Sequence, residues 1–126
     1  MMKYFLSLGS NIDAEINLDF AQKELKKIFT NIRLSSIHTT KAEGFEGDDF
    51  LNLVISGESN DSFEEINNKL KSIENDAGRD RDAPKFSSRT LDIDIILQID
   101  ENEEIVFESD EIQKYNFVSD PLKELI

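Results

Sequence analysis

Apolar residues fall into a few dense or periodic runs separated by polar stretches. Lys3 to Leu8 is rich in aromatic and aliphatic residues and ends at Gly9-Ser10-Asn11, which predicts a first strand. Ile16 to Phe29 reads as a helix, with Ile16, Phe20, Leu25, Ile28 and Phe29 roughly on one face. Lys23, Lys26 and Lys27 crowd its end, where cations favour the helix dipole. Ile32 to Thr39 has the β-branched and hydroxyl content of a second strand. Thr40 to Asp49 is a polar loop with two glycines, and Phe50 to Glu58 is a third strand.

The clearest element comes next. Ser62 and Glu65 have the spacing of a capping box. Phe63, Ile66, Leu70, Ile73 and Ala77 then follow at steps of three and four, the signature of an amphipathic helix, and Gly78 is placed to stop it. Residues 79–90 show no period, and a loop of this length in a compact domain is usually functional or disordered. Leu91 to Ile99 is a fourth strand.

The order β-α-β-β-α-β predicts an α+β, ferredoxin-like fold, with the helices covering one face of an antiparallel sheet. After residue 100 the pattern weakens. An acidic turn, a short strand at Ile105 to Phe107 and a final short helix starting at Pro121 are expected, within a single domain spanning residues 1–126.

Composition narrows the chemistry. With no Cys and one His, thiolate chemistry, disulfides and multi-His or Cys-based metal centres are excluded, so any metal would be held by oxygen, as magnesium, manganese or calcium are. No apolar run approaches the ~18 residues needed to span a bilayer, and the N-terminal run lacks a cleavage pattern. A cytoplasmic monomer acting on small molecules, apart from membranes, is therefore expected. The net charge of -13 argues against nucleic-acid binding, which needs a basic surface. Any phosphate site must be local.

One stretch supplies such a site. Three of the four arginines, Arg79, Arg81 and Arg89, fall with Lys85 just before Leu-Asp-Ile-Asp-Ile-Ile at 91–96. Side chains two apart on a strand share a face, about 6.6 to 7 Å apart along the chain. Leu91, Ile93, Ile95 and Leu97 should thus line one face, and Asp92, Asp94 and Ile96 the other. Parallel carboxylates repel, and a cation between them would relieve this. One or two Mg²⁺ ions carrying substrate phosphates would suffice. A solvated outer sheet face explains a bare Asp-Ile-Asp equally well, and surface ion pairs would explain the arginines at little gain in stability. Together, however, guanidinium forks and carboxylate-held metal are the parts phosphoryl transfer needs. The chain has no G-x-x-x-x-G-K-[ST], so a P-loop is excluded.

G-R-x-R at 78–81 followed by R-T-L-D-I-D-I-I at 89–96 resembles the signature of the 6-hydroxymethyl-7,8-dihydropterin pyrophosphokinase family. Y-F-L-S-L-G-S-N at 4–11 and D-F-L-N at 49–52 are similar to its first strand and pterin-site strand, so the likeness covers roughly residues 2 to 99. The resemblance implies transfer of the β,γ-pyrophosphoryl group of ATP to the pterin's hydroxymethyl oxygen, releasing AMP. It implies that Asp92 and Asp94 bind two Mg²⁺ ions, with Asp94 also helping to take the hydroxyl proton. It implies that Arg79 and Arg89 hold the triphosphate and its transition-state charge. Arg81 and Lys85 would close over ATP, with Phe86 where the family has a loop Trp, and Glu74 and Ile95 would lie at the nucleotide. For the pterin it implies stacking by Phe50 and Phe117, an amide contact from Asn52, and loop contacts from Thr40 and Gly44.

The C-terminal part departs from the family. Phe107-Glu108-Ser109-Asp110 stands where a Pro-His pair is usual, Tyr115 stands in place of an Arg, and Lys41-Ala42 replaces a Pro pair, while residues 117–122 keep F-x-x-x-P-L. Two other readings stay open beside an active enzyme: a diverged paralogue that binds nucleotide or pterin, and an acidic interaction domain of the same fold. His38 is expected to have a structural or surface role.

Overall fold

The computed structural model describes residues 1–41, 48–78 and 91–126. Its elements are β1 (Met2–Ser10), α1 (Ala14–Leu25), β2 (Thr30–Leu34), β3 (His38–Thr40), β4 (Phe50–Ser59), α2 (Phe63–Asp76), β5 (Asp92–Ile99), β6 (Ile105–Glu108), α3 (Glu111–Lys114) and α4 (Asn116–Lys123). Among the described residues the strands form one sheet in the order β2-β4-β1-β5-β6, with β3 also paired to β4. All the pairings are antiparallel. This is the expected α+β, ferredoxin-like arrangement, with β1 and β4 at its centre. No helix among the described residues is long and apolar enough to cross a membrane.

The second strand is split. Between β2 and β3 the Ser35 hydroxyl accepts the Val54 N–H at 2.8 Å, while the Ser35 N–H donates to the Val54 carbonyl at 2.9 Å. A side chain thus takes over one rung of the ladder, and the residues predicted as one strand become β2 and β3, end to end along β4.

One face of the sheet carries the larger apolar cluster. Tyr4, Leu6 and Leu8 of β1, Leu53 and Ile55 of β4, and Ile93 and Ile95 of β5 pack against α1 and α2. In α2 the Glu65 N–H donates to Ser62 Oγ at 3.2 Å, and Glu65 Oε1 accepts from the Ser62 N–H at 3.1 Å. This is the predicted capping box, and it satisfies two amides that would otherwise lack partners. Ile66, Leu70 and Ile73 are buried as the spacing predicts, and Gly78 ends the turn at φ +85°, a conformation that costs glycine little.

Helix α1 differs from expectation at Ile16, while Phe20, Leu25, Ile28 and Phe29 join the apolar cluster as the spacing predicts. Leu18, Ala21 and Leu25 form its buried stripe, while Ile16 is 71% exposed. Two positions on an α-helix are about 200° apart, so burying Leu18 turns Ile16 outward. Phe29 is buried beyond the helix end, its ring 5.8 Å from that of Tyr4. Tyr4 in turn donates its hydroxyl to the Asp61 carbonyl at 2.6 Å and accepts from Gln98 Nε2 at 3.3 Å. Burial, and then the carboxylates of Asp61 and Glu65, push its phenol pKa above the usual value.

The opposite face is not bare. Phe5, Val54, Ile96 and Leu97 pack there against Val118, Leu122 and Leu125. Helices therefore lie on both faces, which corrects the one-sided packing expected from the sequence. Val118, Pro121, Leu122 and Leu125 follow at helical spacing, so Pro121 lies within α4 as part of its buried stripe and does not begin it. Leu97 reaches this face through a β-bulge. Phe5 pairs with Leu97 and Leu6 with Ile95, leaving Ile96 as the extra residue. Beyond the bulge the alternation inverts. Leu97 leaves the row of Leu91, Ile93 and Ile95, and Gln98 takes the helix-side position beside Tyr4.

Candidate active site

Where α4 does not reach, the same face of the sheet is polar. The register places Asn52 of β4 opposite Gly9 of β1, and Gly9 opposite Asp92 of β5. The next row holds Val54, Ser7 and Asp94. By strand alternation Asn52, Asp92 and Asp94 all project away from α1 and α2, as Val54 and Ile96 do. Two strand spacings separate Asn52 from Asp92 at the backbone, about 9.6 Å.

Asn52 is 4% exposed, and its orientation is held from two sides. Its Nδ2 donates to Thr40 Oγ1 at 2.9 Å, since Thr40 and Phe50 are register partners at the end of β3. Its Oδ1 lies over Gly9, where a Cβ would stand 2.9 Å from it. A side chain at residue 9 would push the amide aside, which gives the Gly-Ser-Asn turn a local packing reason. Asn11, also buried, ties the end of β1 to the chain before β4 by donating to the Asp48 carbonyl at 2.9 Å. Phe50 opens β4 half-buried. Phe117 on α4 is half-buried and stacks on Tyr115, with ring centroids 4.9 Å apart and planes 23° apart.

On β5, Asp92 is half-buried and Asp94 exposed. Glu74 of α2 is 4% exposed, and its Oε2 accepts the Ile93 N–H at 2.8 Å, between the two aspartates. It braces this end of β5, where β6 no longer pairs. Ile95 packs in the cluster beneath α1 and α2. Arg79, Arg81, Lys85, Phe86, Arg89 and Gly44 lie outside the described residues. Among the described residues no group of three or more metal-ligating side chains assembles. A pair of carboxylates on an accessible strand face is an oxygen-only donor set suited to Mg²⁺, an ion that keeps several waters and is completed by substrate phosphates.

The sequence reading missed the contacts of His38. Its Nε2 lies 2.5 Å from Glu124 Oε2, just past α4. The Ser36 N–H and Oγ also donate to the Glu124 carboxylate, each at 2.8 Å. The Ser36 backbone bond, then the His38 and Ser36 side chains, hold the Glu124 pKa down to about 2. His38 is therefore structural, as expected. Its partner lies 86 residues away, and no local pattern announces it.

The sequence pattern of the 7,8-dihydro-6-hydroxymethylpterin-pyrophosphokinase family matches residues 5–126. The chain belongs to this family. It is 34% identical over 103 residues to the 2-amino-4-hydroxy-6-hydroxymethyldihydropteridine pyrophosphokinase of Aquifex aeolicus, a match covering 80% of this chain and 64% of that protein. It is 30% identical to the enzyme of the same name from Haemophilus influenzae, covering 99% of this chain and 82% of that protein. The chain thus spans a little under two thirds of the Aquifex relative's length. The family match runs to the last residue and includes the altered segment beyond residue 100, further than the motifs alone reached. In this pyrophosphokinase-family chain, that segment supplies the helix that closes the apolar half of the site face.

Proposed function

We propose that this family member is an active, Mg²⁺-dependent pyrophosphokinase that makes 6-hydroxymethyl-7,8-dihydropterin diphosphate for folate synthesis in the cytoplasm. The row Asn52–Gly9–Asp92 is the observation that carries the reading. A held amide suited to a flat heterocycle and the first carboxylate of the Asp92/Asp94 pair, suited to metal-bound phosphates, lie about two strand spacings apart on one face.

In this reading the pterin lies between Phe50 and Phe117, with its edge on Asn52, Thr40 and Gly44. Stacking on aromatic faces holds a flat ring with little loss of side-chain freedom. Asp92 and Asp94 would hold two Mg²⁺ ions, which neutralise and orient the ATP phosphates. Arg79 and Arg89 bind the triphosphate in bidentate fashion, and Arg81 and Lys85 close over it. Glu74 keeps the aspartate-bearing end of β5 in place through the Ile93 amide. The hydroxymethyl oxygen attacks the β-phosphorus of ATP, and its proton passes toward Asp94. The bond from the β-phosphorus to the α-bridging oxygen breaks, and AMP leaves with that oxygen. Most of the catalysis is positioning and charge stabilisation.

The decisive assay follows AMP by chromatography in mixtures of the full chain, ATP and Mg²⁺, with and without the pterin. AMP should form in step with the pterin diphosphate, and only when Mg²⁺ and the pterin are both supplied. No AMP above the ATP-only background, with authentic pterin, would sink the proposal. Phe107-Glu108-Ser109-Asp110 in place of Pro-His, together with Tyr115, favours a second reading, a paralogue that binds without turnover. Calorimetric binding of Mg-ATP and pterin without AMP release would establish that one instead.

A further inference from the structure

Glu124 lies far in sequence from the β2–β3 segment, yet its carboxylate meets three donors there. These are the Ser36 N–H and Ser36 Oγ, each at 2.8 Å, and His38 Nε2 at 2.5 Å. Arg33 Nη1 adds a bond to the Leu125 carbonyl at 3.3 Å. Together these contacts strap the C-terminal end of α4 to the outer strands.

What the strap holds is specific. β3 is three residues long and has only β4 as a strand neighbour among the described residues, so its own ladder is weak. His38 pairs with Asn52 and Thr40 with Phe50, and His38 and Thr40 share the site face. Thr40 Oγ1 is the acceptor that orients the Asn52 amide. At the other end of the strap, α4 carries Phe117 two turns before Glu124. One carboxylate therefore joins the strand that sets the Asn52 amide to the helix that carries Phe117.

We infer that Glu124 is a positioning residue for the pterin subsite, acting through His38 and Ser36 on β3 and through α4 on Phe117. The inference rests on the pterin reading of that subsite given above. Among the described residues the hydrogen bonds of the strap end on Arg33, Ser36, His38 and the C-terminal end of α4. Asp92 and Asp94 lie on β5, and the Glu74 brace that serves them comes from α2 on the other face. The low pKa of Glu124 keeps the strap charged at any ordinary working pH.

The test compares full-length wild type, Glu124→Ala and Ser36→Ala by calorimetry, titrating the pterin and, separately, a non-hydrolysable ATP analogue with Mg²⁺. Backbone amide exchange at residues 38–40 and 50–52 is followed in the unliganded proteins. Loss of charge-assisted hydrogen bonds in Glu124→Ala should weaken pterin binding about tenfold. The ATP analogue should bind as before, and exchange should quicken at residues 38–40. Ser36→Ala, which removes one of the three donors, should fall between. Equal weakening of both ligands would assign Glu124 a general structural role and overturn the inference. So would unchanged pterin affinity. A wild type that binds no pterin would overturn the functional reading itself, and the exchange data alone would then decide whether the strap orders β3.

Discussion

The two faces of β5 share one backbone and differ in everything else. Ile93 and Ile95 face α1 and α2 and are buried in an apolar cluster drawn from β1, β4 and both helices. Asp92 and Asp94, each one residue away, face a surface that α4 covers only from Val54 and Ile96 onward. The first face is apolar along the aspartate-bearing end of the strand, and the second is apolar only beyond it, where Ile96 and Leu97 meet α4. Glu74 joins the two, a buried acid on the helix side whose carboxylate takes the amide between the aspartates.

Substitutions should separate these faces cleanly. On the proposed function, Asp94→Asn should lower kcat/KM by about 10³-fold, because it removes a charge assigned there to metal and phosphate, while leaving the urea midpoint within error of wild type. A matching loss of stability would show that Asp94 is structural and that the division between faces is false. Leu70→Ala, on the helix side, should cost about 3 kcal/mol of unfolding free energy, because Leu70 is fully buried and its truncation leaves a cavity in the core. Its folded fraction should retain wild-type affinity for the ATP analogue, and a selective loss of that affinity would count against the separation. The smallest effect concerns pH. The folded-state pKa of Glu124 is depressed to about 2 from an ordinary value of 4.5, so its contribution is complete above the unfolded value and disappears as pH falls through about 2. The melting-temperature gap between wild type and Glu124→Gln should thus be present at pH 6 and close between pH 4.5 and 2. A gap that stays constant over that range would remove the carboxylate from the account.

Local chemistry was legible wherever the determining residues are neighbours in the chain. The capping box of Ser62 and Glu65, the stripe Ile66-Leu70-Ile73 and the stop at Gly78 all follow from spacing, because a helix is closed by bonds three and four residues apart. The shared face of Asp92 and Asp94 follows from the two-residue period of a strand. Along α1 and just past it, Phe20, Leu25, Ile28 and Phe29 join the apolar cluster as expected, but the apolar residues exceed one stripe, and burial of Leu18 and Ala21 leaves Ile16 outside. Arg79, Arg81, Lys85 and Arg89 were conspicuous by charge in an acidic chain, a signal that owes nothing to the fold.

Order of elements, fold class, the carboxylate pair and the run of basic residues before it are thus properties of the chain itself, since each depends on short-range periodicity or composition. Other features belong to the folded molecule. They are the bulge at Ile96 that sends Leu97 to the far face, the Ser35 hydroxyl that splits the second strand, and the Asn52 amide fitted over Gly9. The reach of Glu124 to His38 is another. Each depends on residues distant in sequence meeting at one distance and one angle, and only the packing of sheet against helices determines that.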